Sequence, residues 1–131
     1  MTKSATAIGA ITLFVLDVPI STTWYGNVFR APLVFEDDVS AVYKFDNMLV
    51  NLLARTDAPG LIAPAEVANP GAGAQFQFTI WTDDVDAACA DLQARGVTFL
   101  NGPANRAWGL RTACFPDPDG YIWEIAQELP T

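Results

Sequence analysis

Apolar and polar positions divide the chain into two stretches with the same order of elements. Residues 8–16 put Ile11, Leu13 and Val15 on one side and Ala10, Thr12 and Phe14 on the other, the period-two pattern of a strand. Pro19 and Ser21 then mark a helix start. Trp24, Tyr25, Val28 and Phe29 form its apolar stripe, and Pro32 ends it. Residues 33–36, 41–45 and 48–54 predict three short strands joined by the turn pairs Asp37-Asp38 and Asp46-Asn47. Residues 55–74 are rich in Ala, Pro and Gly, with turn signals at Pro59-Gly60 and Pro70-Gly71, and predict a linker with a short flap. The rhythm then repeats. A strand is expected over 75–82 and a helix over 84–95, with Val85, Ala88, Cys89 and Leu92 inward and Gly96 as its stop. Strands follow at 97–100, 111–115 and 120–127, separated by turns at Asn101-Gly102-Pro103 and Pro116-Asp117-Pro118-Asp119-Gly120.

Each half therefore reads βαβββ, and short segments support a duplication. Asp46-Asn47-Met48-Leu49-Val50-Asn51-Leu52-Leu53 matches Asp119-Gly120-Tyr121-Ile122-Trp123-Glu124-Ile125-Ala126 in pattern, with Glu124 in the place of Asn51. Upstream, residues 10–18 and 77–85 each start as a strand and run into an acidic helix start. The expected class is α+β: one domain over 1–131, with module one at about 8–54, a linker at about 55–74 and module two at about 75–128. The duplication places Ala10, Asn51, Gln77 and Glu124 at four equivalent positions.

Side-chain alternation splits each strand into two sets. Ile11, Leu13, Val15, Met48, Val50, Leu52, Phe76, Phe78, Ile80, Tyr121, Trp123 and Ile125 are almost wholly apolar and should pack under the helices. The opposite set mixes Ala10, Thr12, Phe14, Leu49, Asn51, Leu53, Gln77, Thr79, Trp81, Ile122, Glu124 and Ala126. Hydrogen-bonding groups scattered among aromatics are the makeup of a ligand cleft, although a half-solvated antiparallel sheet alternates similarly.

A net charge of -8 argues against nucleic acid and anionic membranes as partners, since both attract basic patches; it suits a cationic small ligand or plain solubility. No apolar run approaches the roughly 20 residues of a membrane span. Met1-Thr2-Lys3-Ser4-Ala5-Thr6 has no long apolar signal core, so a cytoplasmic location is expected. Cys89 and Cys114 lack CxxC spacing and suggest no disulfide. Histidine is absent, which removes Ser-His-Asp and Cys-His catalysis.

Phe115-Pro116-Asp117-Pro118-Asp119-Gly120-Tyr121-Ile122-Trp123-Glu124-Ile125, together with Thr82-Asp83-Asp84-Val85-Asp86-Ala87-Ala88 and Ile11–Val18, resembles the vicinal oxygen chelate superfamily over nearly the whole chain. That group includes glyoxalases, extradiol dioxygenases, fosfomycin-resistance enzymes and bleomycin-resistance proteins. The resemblance implies paired βαβββ modules whose curved mixed sheets surround a cleft, assembled as a homodimer. It also implies that Ala10, Asn51, Gln77 and Glu124 stand where metal-using members carry ligands. Of these only Glu124 is a good donor. Two neutral amides and a methyl group suit zinc or iron poorly, leaving a hydrated Mg²⁺ or Mn²⁺ on Glu124, Gln77 and Asn51 as the remaining metal option. The expectation is no metal and no cofactor.

The residues expected to contact a ligand are Thr12, Phe14, Asn51, Gln77, Thr79, Trp81, Ile122, Glu124 and Arg111, with Phe14 and Trp81 stacking a planar group. Arg111 would pair with an anionic substrate or Glu124, or lie on the surface. In an apolar cavity Glu124 would act as a general base or as a counter-charge; alternatively it is satisfied by Gln77 or water. Tyr43, Trp108, Trp24 and Tyr25 read as packing residues, and Asp117 and Asp119 as turn residues. Two functions follow. One is a metal-independent small-molecule-binding protein of the bleomycin-resistance type, holding an aromatic or cationic ligand. The other is a glyoxalase-like lyase or isomerase using Glu124, with or without a weakly bound divalent metal. A scaffold domain with an empty cleft is a third reading.

Overall fold

A computed structural model describes residues 5–69 and 71–131. Met1–Ser4 of the expected leaderless start, and Pro70 of the Pro70-Gly71 turn, lie outside the described residues. The chain divides into two compact units, the first running to Ala68 and the second beginning at Asn69. The boundary falls inside the expected linker.

The first unit contains β1 (Ala10–Val15), α1 (Val18–Phe29), β2 (Leu33–Glu36), β3 (Ser40–Lys44) and β4 (Leu49–Ala54), in sheet order β1-β4-β3-β2. β1 and β4 run parallel, while β2, β3 and β4 pair antiparallel. Asp17 starts α1: its carboxylate accepts from the Ile20 amide at 2.9 Å, satisfying a donor that the helix cannot. Arg30 ends it in the left-handed region at φ 56°. Tyr25 and Val28 are buried, as the helical stripe requires, together with Val18 and Ser21. They pack on β3 and β4 over Leu13, Val15, Ala41, Tyr43, Val50 and Leu52. Each such aliphatic side chain contributes about 1.5–3 kcal/mol of burial. Tyr43 is a packing residue, as expected, and its hydroxyl donates to the Thr22 carbonyl at 2.6 Å. Burial pushes its phenol pKa up, with the Glu36 carboxylate adding to the shift.

The second unit repeats the plan with β5 (Gln77–Trp81), α3 (Val85–Ala94), β6 (Asn101–Asn105), β7 (Leu110–Pro116) and β8 (Ile122–Glu128), in sheet order β5-β8-β7-β6. β5 and β8 are parallel, the others antiparallel. Asp84 caps α3 through the Ala87 amide at 3.0 Å, and Gly96 at φ 93° follows its end. Val85, Cys89 and Leu92 are buried over Ala113, Phe115, Trp123 and Ile125. Phe78 stacks on Trp123 with centroids 4.3 Å apart. Cys89 is free and buried, and burial, then the Asp86 charge, raises its thiol pKa. Asp117 takes the expected turn role: its Oδ1 accepts from the amides of Asp119 at 2.9 Å and Tyr121 at 2.8 Å.

The segment expected as a linker carries short helical turns: Arg55–Asp57 forms a 3-10 turn and α2 spans Pro59–Ile62, with Ala58 buried between them and Arg55 donating to the Ala68 carbonyl at 2.7 Å. Local hydrogen bonds and Pro59 at the helix start make a turn of helix feasible even in this composition. The strand expected at 97–100 lies instead at Asn101–Asn105, across the residues read as a turn. Its pairing shifts between Asn101 and Ala104, so Gly102 and Pro103 sit in an irregular edge strand, where proline is tolerated.

Candidate functional site

Each helix covers one face of its sheet, and the other face of the same unit carries the mixed set of side chains. Cross-strand partners share a face, so the register converts the sequence into rows. In the second unit one row runs Thr79, Glu124, Cys114, Asn101, and the next runs Trp81, Ala126, Thr112, Ala104. A third pairs Gln77, Ile122 and Pro116. Within the first row the Thr79 hydroxyl donates to Glu124 Oε1 at 2.8 Å. Glu124 is half-buried, Gln77 and Thr79 are exposed, and Trp81 is 60% exposed. The local partner of Glu124 is therefore Thr79, not Gln77, because the parallel register puts Gln77 opposite Ile122.

The first unit has a matching row of Thr12, Asn51, Val42 and Phe35. Asn51 Nδ2 donates to Thr12 Oγ1 at 3.2 Å. Thr12–Asn51 and Thr79–Glu124 are thus the same bond in two copies, with the polarity reversed: an amide donates in one and a carboxylate accepts in the other. Phe14, Leu53 and Ser40 form the adjoining row. Phe14 and Leu53 are half-buried, so this face is the more apolar of the two.

Arg111 does not belong with this set. It pairs with Gln127 on the helix side of the second sheet. Its guanidinium grips Asp86 of α3 through Nε at 2.9 Å and Nη2 at 2.9 Å, and donates to Asn105 through Nη1 at 3.0 Å. Alternation explains the correction: Arg111 is an odd position on β7, with Ala113 and Phe115, whereas Thr112 and Cys114 share the face of Glu124. The Arg111 hydrogen bonds hold the Asp86 carboxyl below its usual range. Such a group stabilises the fold above the ordinary carboxylate pKa and loses that effect as pH falls through its lower native value. Asp86→Asn is expected to give a small drop in Tm near neutral pH, and the gap from the parent should close in acid, as followed by circular dichroism.

Several groups escaped the sequence reading. Arg106 Nε donates to Thr112 Oγ1 at 2.8 Å and its Nη2 to Asn101 Oδ1 at 2.7 Å, linking the two rows of the second unit. Thr112 is buried and Cys114 is half-buried. Counting back by twos from Cys114 would have found Thr112. Nothing local announced Arg106, which reaches this face from outside the strands.

The donor set at the four equivalent positions does not fit a divalent ion. Ala10 offers no donor, Asn51 and Gln77 offer neutral amides, and Glu124 already receives the Thr79 hydroxyl. Among the described residues no three His, Cys, Asp or Glu side chains are grouped as metal ligands would be.

The duplicated βαβββ plan agrees with what comparison finds. The family model for the Glyoxalase/Bleomycin resistance protein/Dioxygenase superfamily matches residues 7–125. The chain belongs to this superfamily. A glyoxalase/bleomycin resistance protein/dioxygenase from Nocardioides is a similar solved superfamily structure, with a TM-score of 0.87 at 23% identity, covering 98% of this chain and 87% of that one. TnmS3, an antibiotic binding protein from Streptomyces sp. CB03234, aligns with a TM-score of 0.71 at 26% identity, covering 97% and 99%. The uncharacterized protein YraH of Bacillus subtilis (strain 168) is 29% identical over 123 residues, 91% of this chain and 96% of its own. Among the described residues no helix is long and apolar enough to cross a membrane.

Proposed function

We propose that this superfamily member is a metal-independent small-molecule-binding protein of the bleomycin-resistance type. The observation carrying this reading is the Thr79–Glu124 pair on an open sheet face beside a largely exposed Trp81. A carboxylate oriented by a neighbouring hydroxyl, next to an uncovered indole, suits an aromatic or cationic molecule: the ring stacks and the carboxylate orients. Thr12, Phe14, Asn51, Gln77 and Ile122 are the further contacts in this proposal. Likeness to an antibiotic binding protein supports it. The proposal has the protein work as a homodimer in the cytoplasm, where the two free cysteines are at home.

Calorimetry against a panel of planar and cationic glycopeptide antibiotics tests the reading. At least one should bind saturably, and Glu124→Gln should weaken it about tenfold, the usual loss of a charge-assisted contact. A panel without a binder, or binding indifferent to Glu124→Gln, would sink it.

A second reading has one observation in its favour. Glu124 Oε2 receives no hydrogen bond from a described residue and stands open to a ligand. As a general base it would serve a lyase or isomerase. Turnover of a hemithioacetal that disappears in Glu124→Gln would replace the binding-protein reading with this one.

A further inference from the structure

A cavity of about 590 Å³ lies at the carboxyl ends of β5 and β8, lined by Trp81, Thr82, Asp83, Gln127 and Glu128. All five belong to the second unit. Because β5 and β8 are parallel, with Trp81 opposite Ala126, both strands end here side by side. The chain continues from β5 through Asp83 into α3, so the start of that helix faces the same region.

A helix start ordinarily draws an anion. Here two of its donors are already used. The Val85 amide donates to Gln127 Oε1 at 2.9 Å and the Ala87 amide to Asp84 Oδ1 at 3.0 Å. Arg111 is turned to Asp86. The remaining chemistry is of one kind. The Trp81 indole is 60% exposed and has no ring partner among the described residues. The carboxylates of Asp83 and Glu128 are exposed and take no hydrogen bond or ion pair from a described residue. Aromatic surface and uncompensated negative charge therefore line one concavity.

An indole face supplies no lone pair for a metal ion, and two carboxylates fall far short of the six or more oxygens that a hard cation takes. A primary ammonium would demand directed acceptors and give up strong hydration. A quaternary ammonium needs neither, because it is weakly hydrated and is held by an aromatic face and a negative field. We infer that this cavity binds a quaternary alkylammonium group, with Trp81 as its face and Asp83 and Glu128 as its counter-charges. The inference rests on the small-molecule-binding reading and names the headgroup by which the ligand is held. The volume leaves space for the rest of such a molecule.

The test is calorimetric titration of the full chain with choline and with its uncharged isostere 3,3-dimethyl-1-butanol. Choline should bind saturably at one site per chain, and the isostere about tenfold more weakly or not at all. Trp81→Leu should weaken choline about tenfold, and the double variant Asp83→Asn/Glu128→Gln should weaken it similarly while flattening its salt dependence. All three side chains are exposed, and unchanged far-ultraviolet circular dichroism of each variant verifies its fold. Asp91→Asn, an exposed carboxylate further along α3 and outside the cavity lining, should leave choline affinity unchanged. No saturable heat, equal binding of the isostere, or indifference to the double variant would overturn the inference. Loss of choline in Glu124→Gln with none in the double variant would place the headgroup at Glu124 and overturn the inference, while leaving the broader binding reading intact.

Discussion

Phe115→Ala should lower the free energy of unfolding by about 3–5 kcal/mol, the cost of removing a large aromatic side chain from a closed core. Phe115 is wholly buried, beneath α3 and opposite Trp123 on β8. Phe99 meets it edge-on with centroids 5.5 Å apart. A cavity left at this point has rings on two sides, and rings reorient less easily than aliphatic chains, so collapse can recover little of the loss. Its chain neighbours Cys114 and Pro116 face the opposite side, in the rows containing Glu124 and Ile122. If the proposed ligand binds there, the same substitution should also weaken its binding, through displacement of these neighbours. Urea denaturation and calorimetry measure the two effects. A stability loss under about 1 kcal/mol would show that the position is not packed as described.

Gly102→Ala should be the most damaging small substitution on the second sheet, at about 2–4 kcal/mol, from left-handed backbone strain together with a steric clash. Gly102 has φ 87°, where side chains are disfavoured. A β-carbon built there would lie 2.4 Å from the Thr112 carbonyl oxygen and 2.7 Å from Ala113 Cα, both backbone atoms that cannot swing aside. β6 would have to separate from β7. Asn101 and Arg106 would then lose their positions, and Thr112 its cover. Gly109 provides the control: it has the same φ of 87° and nothing within 4 Å of a β-carbon, so Gly109→Ala carries the strain without the collision. Equal denaturation midpoints for the two variants would refute the steric argument.

The residues that were legible in the chain are those whose roles rest on local rules. The acidic helix starts in residues 10–18 and 77–85 were legible, and Asp17 and Asp84 there are the caps, because a capping carboxylate acts within three residues. Leu13, Val50, Trp123 and Ile125 announced the covered faces because a strand alternates strictly, and an apolar side left in water is costly. Asp117 was readable as a turn residue for the same reason. Roles decided by a partner distant in sequence are not legible in this way. β6 was misplaced because Asn101-Gly102-Pro103 has turn composition, yet pairing with β7 and the close approach to Thr112 draw it into the sheet. Arg111 was assigned to the ligand because charge alone does not reveal a face; its bidentate grip on Asp86, 25 residues away, does.

The sequence by itself thus determined the βαβββ plan, its repetition and the single carboxylate among four equivalent positions, all consequences of periodicity and residue chemistry. Only the tertiary structure decided that Thr79 rather than Gln77 holds Glu124, that Arg106 joins two rows, and that Trp81, Asp83 and Glu128 meet around one cavity. Register is the reason. A shift of one residue between paired strands would turn every one of these side chains to the other face, and it is set by packing between segments far apart along the chain.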